Sequence, residues 1–91
     1  MNESKVLYER VTFMIFDKLV KIMAEQLGVQ QQDISMETVL RDDLAVDSLD
    51  LYNLGMVLED EFNIELPQDE MNDIETVEDV VKMLKEQGVE E

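Results

Sequence analysis

The hydrophobic residues near the N-terminal end recur every three or four positions, which is the spacing of a helix with one apolar face. The positions that carry this pattern are Phe16, Leu19, Val20, Met23 and Leu27. The pattern predicts a first helix from about Ser4 to Leu27. Gly28 should end it, because glycine commonly follows a helix C-terminus.

A second helix is predicted from Ser48 to about Phe62, and it has two apolar faces. At about 100° per residue one face points to the core, and it carries Leu51, Leu54, Leu58 and Phe62. Leu49 and Met56 fall on the opposite side, among acidic residues. They are either a docking patch or ordinary scattered surface hydrophobics. Gly55 lies beside the core face, where we expect another segment to pack closely against it.

The C-terminal third predicts two further helices. Pro67 suits the first position of a short helical turn, and Thr76-Val77-Glu78-Asp79 resembles the capping box that opens a helix. Gly88 should end this last helix, whose apolar stripe is Val77, Val80, Val81 and Leu84.

No segment alternates with period two, so no sheet is predicted. Residues 29–47 have no strong period, and we expect a long loop there. The residues expected to hold the loop to the core are Ile34, Val39, Leu40 and Leu44. The predicted fold is all-α: a small four-helix bundle with a long loop between the first two helices and a short third helix.

Composition excludes several kinds of chemistry. The 91 residues suit one domain, and they include neither cysteine nor histidine. Disulfides, thiolate metal sites and a Ser-His-Asp triad are therefore ruled out. The acidic residues lack the spacing of a calcium-binding EF-hand loop, so no metal site is predicted.

The formal net charge is −16. This charge disfavours nucleic acid and anionic membrane surfaces as partners, and it favours basic proteins. The alternative is that the charge serves solubility alone. The apolar stretch 12–16 ends at Asp17-Lys18, too early to cross a bilayer, and it shows no cleavage pattern. We expect a cytoplasmic location and no membrane insertion.

The tetrapeptide Asp47-Ser48-Leu49-Asp50 opens the second helix, and either Asp47 or Ser48 could be its N-cap. If Asp47 caps the helix, the Ser48 hydroxyl is free at a helix N-terminus, where the backbone N–H groups favour a phosphate. The alternative is that Ser48 is only the cap. A catalytic serine is disfavoured, because there is no histidine and Val46 and Asp50 occupy the glycine positions of G-x-S-x-G.

Residues 44–50, Leu-Ala-Val-Asp-Ser-Leu-Asp, resemble the signature around the attachment serine of acyl carrier proteins. Further segments follow in family order over roughly residues 16–87. They are Glu25-Gln26-Leu27-Gly28-Val29, Leu58-Glu59-Asp60-Glu61-Phe62, Ile64-Glu65-Leu66-Pro67 and Ile74-Glu75-Thr76-Val77. The resemblance implies a carrier and not an enzyme. Ser48 would bear a 4′-phosphopantetheine arm, added from coenzyme A by a phosphopantetheinyl transferase, and acyl groups would ride on it as thioesters.

The resemblance also implies roles for two sets of side chains. Partner recognition falls to Asp47, Leu49, Asp50, Met56, Glu59 and Asp60. An acyl-chain pocket falls to Leu58, Phe62, Leu66, Met71 and Ile74, which would be core residues in any case. The expected partners are the transferase and acyl-handling enzymes with basic docking patches, and the expected state is a monomer.

The chain departs from the family pattern at several positions. Asn53 replaces a common glutamate, Ala45 a common glycine, and Gly55 a larger residue. Residues 1–15 form a predicted helical extension before the carrier domain, residues 16–91. The extension is either a contact surface or a frayed end. The pathway could therefore be fatty acid synthesis or a specialised acyl or polyketide pathway. The alternative function is an acidic helical adaptor that binds a basic protein without any covalent arm.

Overall fold

The computed structural model describes residues 3–89 of the chain. This range contains five α-helices: α1 Glu3–Leu27, α2 Leu40–Leu44, α3 Ser48–Phe62, α4 Gln68–Asn72 and α5 Val77–Glu86. A 3-10 turn spans Gln31–Asp33. Among the described residues there is no strand, only an isolated bridge between Val39 and Thr76. The all-α prediction is confirmed, and so are the bounds predicted for α3.

The apolar stripes of α1, α3 and α5 meet in one core. The side chains at its centre are at most 1% exposed: Ile15, Leu19, Met23, Leu40, Leu54, Leu58, Val77, Val80, Val81 and Leu84. Burial of these side chains is the main stabilising contribution to the fold. Within the described range, no helix is long and apolar enough to cross a membrane.

Helix α1 continues without a break from the predicted extension into the carrier domain. Ile15, placed by the prediction at the end of the extension, is fully buried in the core, and Val11 packs partly against it. The helix ends as predicted at Gly28, which adopts a φ of +71° and donates its N–H to the carbonyl of Ala24 at 3.0 Å. Glycine suits this left-handed conformation because it has no Cβ atom to clash with the backbone.

The connection between α1 and α3 was predicted as a long loop. Within it, residues 31–33 and 40–44 form the 3-10 turn and the short helix α2, neither of which was predicted. Long-range backbone hydrogen bonds hold this connection against the start of α5. The N–H of Leu40 donates to the backbone carbonyl of Glu75 at 2.9 Å, and the N–H of Val77 donates to the backbone carbonyl of Thr38 at 3.0 Å. Ile34 and Leu40 are buried as expected, whereas Val39 and Leu44 are half-buried.

Helix α5 begins with the predicted capping box. The Thr76 hydroxyl accepts the N–H of Asp79 at 3.2 Å. The Asp79 carboxylate in turn accepts the N–H groups of Glu75 and Thr76 at 3.0 and 3.1 Å. These backbone hydrogen bonds, first from Glu75 and then from Thr76, lower the pKa of Asp79 below its ordinary value, because they favour the charged carboxylate.

Candidate functional site

The start of α3 is fixed by Asp47. Its carboxylate accepts the N–H of Asp50 at 2.8 Å, and the Asp50 carboxylate accepts the N–H of Asp47 at 3.3 Å. The two residues form a reciprocal capping box. Asp47 is therefore the N-cap, which decides between the two alternatives that the sequence left open. Ser48 becomes the first helical residue, exposed and with its hydroxyl outside the cap.

The segment before Ser48 is anchored to the loop helix. Ala45 takes a left-handed conformation with φ +56° at the end of α2. The next residue, Val46, is 3% exposed and donates its N–H to the carbonyl of Leu40 at 3.0 Å. A buried side chain and a backbone hydrogen bond two residues upstream therefore hold Ser48 in place. Helix α2, which sequence patterns did not predict, is part of the support of this serine.

The electrostatic surroundings of Ser48 are mixed. The unpaired N–H groups and the positive end of the α3 dipole favour a phosphate, whereas the carboxylates of Asp47 and Asp50 oppose it. Both carboxylates already accept backbone N–H groups, which offsets part of their charge. With no histidine in the chain, nothing here resembles a Ser-His-Asp triad. The arrangement suits a serine that is modified rather than one that catalyses.

An exposed apolar face runs along α3 from Ser48. Leu49 is 66% exposed and Met56 52% exposed, as the helix angles predict, and Tyr52 joins them at 54%. Tyr52 was not among the predicted recognition residues, although its position four residues after Ser48 places it one turn further along the same side of the helix. The acidic residues around this face include Asp60, which is exposed.

Glu59, predicted to recognise partners, is half-buried. Its carboxylate accepts the backbone N–H of Leu66 at 2.8 Å. Leu66 belongs to the segment that joins α3 to α4, so this hydrogen bond ties that segment back to the helix. Nothing in the sequence pattern indicated this second role.

A cavity of about 150 Å³ opens between α3 and α4. It is lined by Leu51, Tyr52, Gly55, Met56, Glu59, Leu66, Gln68, Met71 and Asn72. Two residues of the predicted acyl-chain pocket, Leu66 and Met71, lie on its wall. The other three do not border it. Leu58 and Ile74 are buried in the core, and Phe62 is half-buried with the Lys18 ammonium 5.1 Å from its ring centroid.

Gly55 lies on the wall of this cavity. A Cβ atom at Gly55 would lie only 2.9 Å from the terminal methyl of Met71, closer than real Cβ contacts. Another segment therefore packs closely against Gly55, as expected from the sequence, and the atoms that a larger residue would displace belong to the flexible end of Met71.

Two comparisons with known proteins identify the family. The family model described as "Phosphopantetheine attachment site" matches residues 17–84, which include Ser48. An acyl carrier protein of Clostridium acetobutylicum is 46% identical over 72 residues, covering 79% of this chain and 94% of that protein. An acyl carrier protein of Clostridium perfringens is 43% identical over 72 residues, covering 79% of this chain and 95% of that protein. The chain belongs to the acyl carrier protein family.

Membership in the acyl carrier protein family defines the general activity. Acyl carrier proteins are carriers and not catalysts, and their cofactor is phosphopantetheine. Such a carrier works with enzymes that handle acyl groups. The comparisons do not favour the alternative of a non-covalent adaptor. The geometry around Ser48 fits the cofactor, because an exposed hydroxyl at a capped helix N-terminus can accept a phosphodiester without loss of the cap.

Proposed function

We propose that Ser48 carries the 4′-phosphopantetheine arm. The main support for this proposal is that two different residues cap α3 and present the hydroxyl. Asp47 is the helix cap, so the hydroxyl of the neighbouring, exposed Ser48 is available for modification. The arm supplies a terminal thiol on which an acyl group is held as a thioester, so the chain itself needs no cysteine. The family match supports the assignment because it spans this residue.

The residues around Ser48 would hold the arm's phosphodiester at the helix end. The N–H groups of Ser48 and Leu49, at the very start of α3, would stabilise its negative charge. The Asp47–Asp50 capping box keeps these N–H groups in helical geometry. Val46, buried beneath the turn, keeps Ser48 at the surface, where a transferase can reach it.

Partner enzymes would dock on the exposed face of α3. Leu49 and Met56, predicted from the sequence, would be the apolar anchors, and Tyr52 adds a third exposed apolar side chain. Acidic residues around them would steer partners with basic patches; those residues are Asp47, Asp50, Glu59 and Asp60. The phosphopantetheinyl transferase would use this same face, since it must approach Ser48.

The acyl chain would shelter between α3 and α4, with the cavity as its entrance. Leu66 and Met71 lie at that entrance, the deeper residues would be Leu58 and Ile74, and half-buried Phe62 would be the most distant member of the pocket along α3. We further propose a monomeric, cytoplasmic carrier of fatty acid synthesis or of a specialised acyl or polyketide pathway. The high net negative charge supports the monomeric state, because it makes copies repel one another.

The decisive experiment is arm transfer in vitro. The purified chain is incubated with coenzyme A, magnesium and a broad-specificity phosphopantetheinyl transferase, and its intact mass is measured. Wild type should gain one arm and Ser48→Ala none. Ser35→Ala is the matched control, since Ser35 is also exposed, and it should load like wild type. Failure of wild type to load, with an enzyme that loads another carrier in the same assay, would contradict the proposal.

Stability measurements test which of the two residues caps α3. Ser48→Ala should leave the free energy of unfolding nearly unchanged, because its hydroxyl is not the cap. Asp47→Ala should lower it by about 0.5–2 kcal/mol. A clear loss in Ser48→Ala with none in Asp47→Ala would make Ser48 the cap and would favour the adaptor.

A further inference from the structure

The tip of Met71 occupies the place where a larger residue at position 55 would carry its side chain. The space that a side chain at Gly55 would take is filled by the tip of Met71, whose Cε, Sδ and Cγ atoms lie 2.9, 3.5 and 3.7 Å from an ideal Cβ position. Met71 is 6% exposed. Its side chain is an unbranched thioether, which changes rotamer easily and adapts to a changing partner. A glycine in mid-helix destabilises the helix by about 0.5–1 kcal/mol relative to alanine. At position 55 the missing side chain leaves space for the tip of Met71.

Gly55 lies nearly in line with Ser48 along α3. At about 100° per residue, Tyr52, Gly55 and Glu59 all fall within roughly 40° of the line that runs from Ser48 along α3. All three line the cavity between α3 and α4. Gly55 lies roughly 10 Å from Ser48 along the helix axis. An arm attached to Ser48, with the acyl group at its end, would pass Gly55 and the tip of Met71 if it followed this line.

We propose that Met71 is a movable gate, seated on Gly55, that sets how much of a linear acyl chain this carrier shelters. The proposal rests on the proposed attachment of the arm at Ser48. The cavity of about 150 Å³ accepts a short chain while Met71 stays in place. A cavity of about this volume holds a hydrocarbon of about six carbon atoms. A longer chain must displace the Met71 thioether to reach the core residues behind it.

Gly55 sets the length limit because it has no side chain, so the tip of Met71 can lie against α3 instead of in the cavity. A larger residue at position 55 would push the tip of Met71 into the cavity and shorten the chain that fits. Truncation of the Met71 side chain would enlarge the cavity, because Met71 forms part of its wall. Each further methylene that leaves water should raise the ratio of sheltered to exposed chain by roughly fourfold, until the gate is met.

The test uses carriers loaded with acyl groups of increasing length, from butyryl to dodecanoyl, transferred from the matching acyl coenzymes A. Intact mass first shows that each sample carries its cargo. The methionine methyl groups, labelled with carbon-13, are then followed by NMR. The Met71 methyl signal should stay at its arm-only position for the shortest chains and shift for the longer ones. A Met71 signal that is the same at every chain length would overturn the gate.

Variants test the same point by a second readout, the rate at which hydroxylamine cleaves the thioester. Met71→Ala should slow cleavage of the longer acyl groups severalfold relative to wild type, and Gly55→Ala should speed it. Met83→Ala is the matched control, since Met83 is another buried methionine, 4% exposed on α5, and does not line this cavity. It should cleave like wild type. Equal rates in all four proteins would also overturn the gate.

The outcomes separate the two proposals. A wild-type chain that takes up no acyl arm fails at the mass measurement, which contradicts the attachment at Ser48. A chain that loads normally but shows neither the signal shift nor the change in cleavage keeps the carrier function and loses the gate.

Discussion

The Glu59 carboxylate accepts the backbone N–H of Leu66 at 2.8 Å, across the turn that ends α3. The turn itself is tight, since Asn63 takes a left-handed conformation with φ +55°. Glu59 thereby holds the segment that carries Leu66 to the wall of the cavity. Glu59 is therefore predicted to recognise partners and also stabilises the segment after α3. Different substitutions are needed to test these two roles.

Substitutions at Glu59 should separate its hydrogen bond from its charge. Glu59→Lys removes the acceptor and should lower the free energy of unfolding by about 1–3 kcal/mol, because it leaves a half-buried N–H group without its partner. Glu59→Gln keeps an acceptor oxygen and should cost less. Urea unfolding of the three proteins measures this. Equal stability of the lysine and glutamine variants would show that the hydrogen bond contributes little in solution.

Partner recognition is better tested at Asp60 and Met56, which are both exposed. Asp60→Lys should slow association with a partner enzyme that has a basic docking patch and weaken the salt dependence of the rate. Met56→Ala should act mainly on dissociation, as loss of a buried anchor does. Stopped-flow or surface-binding kinetics would measure both rates. Kinetics like those of wild type in both variants would mean that docking uses another surface.

The long helices could be predicted from the sequence because their information is local. The apolar stripe of α3 lies within the helix itself. Each predicted capping residue, Asp47 for α3 and Thr76 for α5, directly precedes the helix that it caps. Helix α2 could not, because Arg41, Asp42 and Asp43 at its centre show no apolar period. It is held by distant partners, such as the carbonyl of Glu75 that accepts the N–H of Leu40.

The candidate site divides in the same way. Ser48 was predicted as the attachment site from a contiguous motif, and the outward direction of Leu49 and Met56 follows from helix angles. Two other contacts depend on how α4 and the segment before it are placed against α3. They are the hydrogen bond between Glu59 and Leu66 and the packing of Met71 over Gly55. That placement is a property of the whole fold, and no local pattern reports it.

Added salt should stabilise the fold. A net charge of −16 on a chain of this size makes the acidic groups repel one another, and salt screens interactions between exposed charges beyond about 10 Å at 0.1 M. We expect the melting temperature to rise from low to moderate ionic strength, as calorimetry or circular dichroism would show. A melting temperature that stays flat or falls over this range would contradict the expectation.

The capping box of α5 should make stability depend on pH through Asp79. Its pKa is lowered by the backbone N–H groups of Glu75 and Thr76. Its contribution to stability is therefore complete above the unfolded pKa of about 4 and is lost as the pH falls through the lower folded pKa. Wild type should exceed Asp79→Asn in the free energy of unfolding at neutral pH, and the difference should shrink in acid.

Glu61→Gln is the control for this comparison, because Glu61 is exposed late in α3 and its loss changes the net charge by the same amount without removing a cap. Urea unfolding of the three proteins from neutral to acidic pH gives the required differences. A gap between wild type and Asp79→Asn that is constant over the whole pH range would exclude a role for the lowered pKa.

The N-terminal part of α1 presents apolar side chains that the core does not use. Leu7 is 58% exposed, Phe13 68% and Met14 44%. Phe13 borders an apolar cavity whose wall also includes Phe16 and Met36. We hypothesise that this segment, which extends beyond the part matched by the family model, is a contact surface for a dedicated partner. Binding of a second copy at this surface is the alternative, and it would contradict the monomeric state proposed above. The structure favours a point substitution over deletion as a test, because Val11 packs partly against the core.

Phe13→Ala should weaken self-association or partner binding while it changes the free energy of unfolding by no more than about 0.5 kcal/mol, because the ring is mostly in solvent. Ile15→Ala, two residues further on, is the contrasting variant. Ile15 is fully buried, so its truncation should cost about 2–5 kcal/mol. Sedimentation velocity over a range of protein concentrations would show self-association, and co-purification from the native host would show a partner. If Phe13→Ala alters neither of these, the exposed side chains of α1 are not a contact surface, and the extension is only a longer first helix.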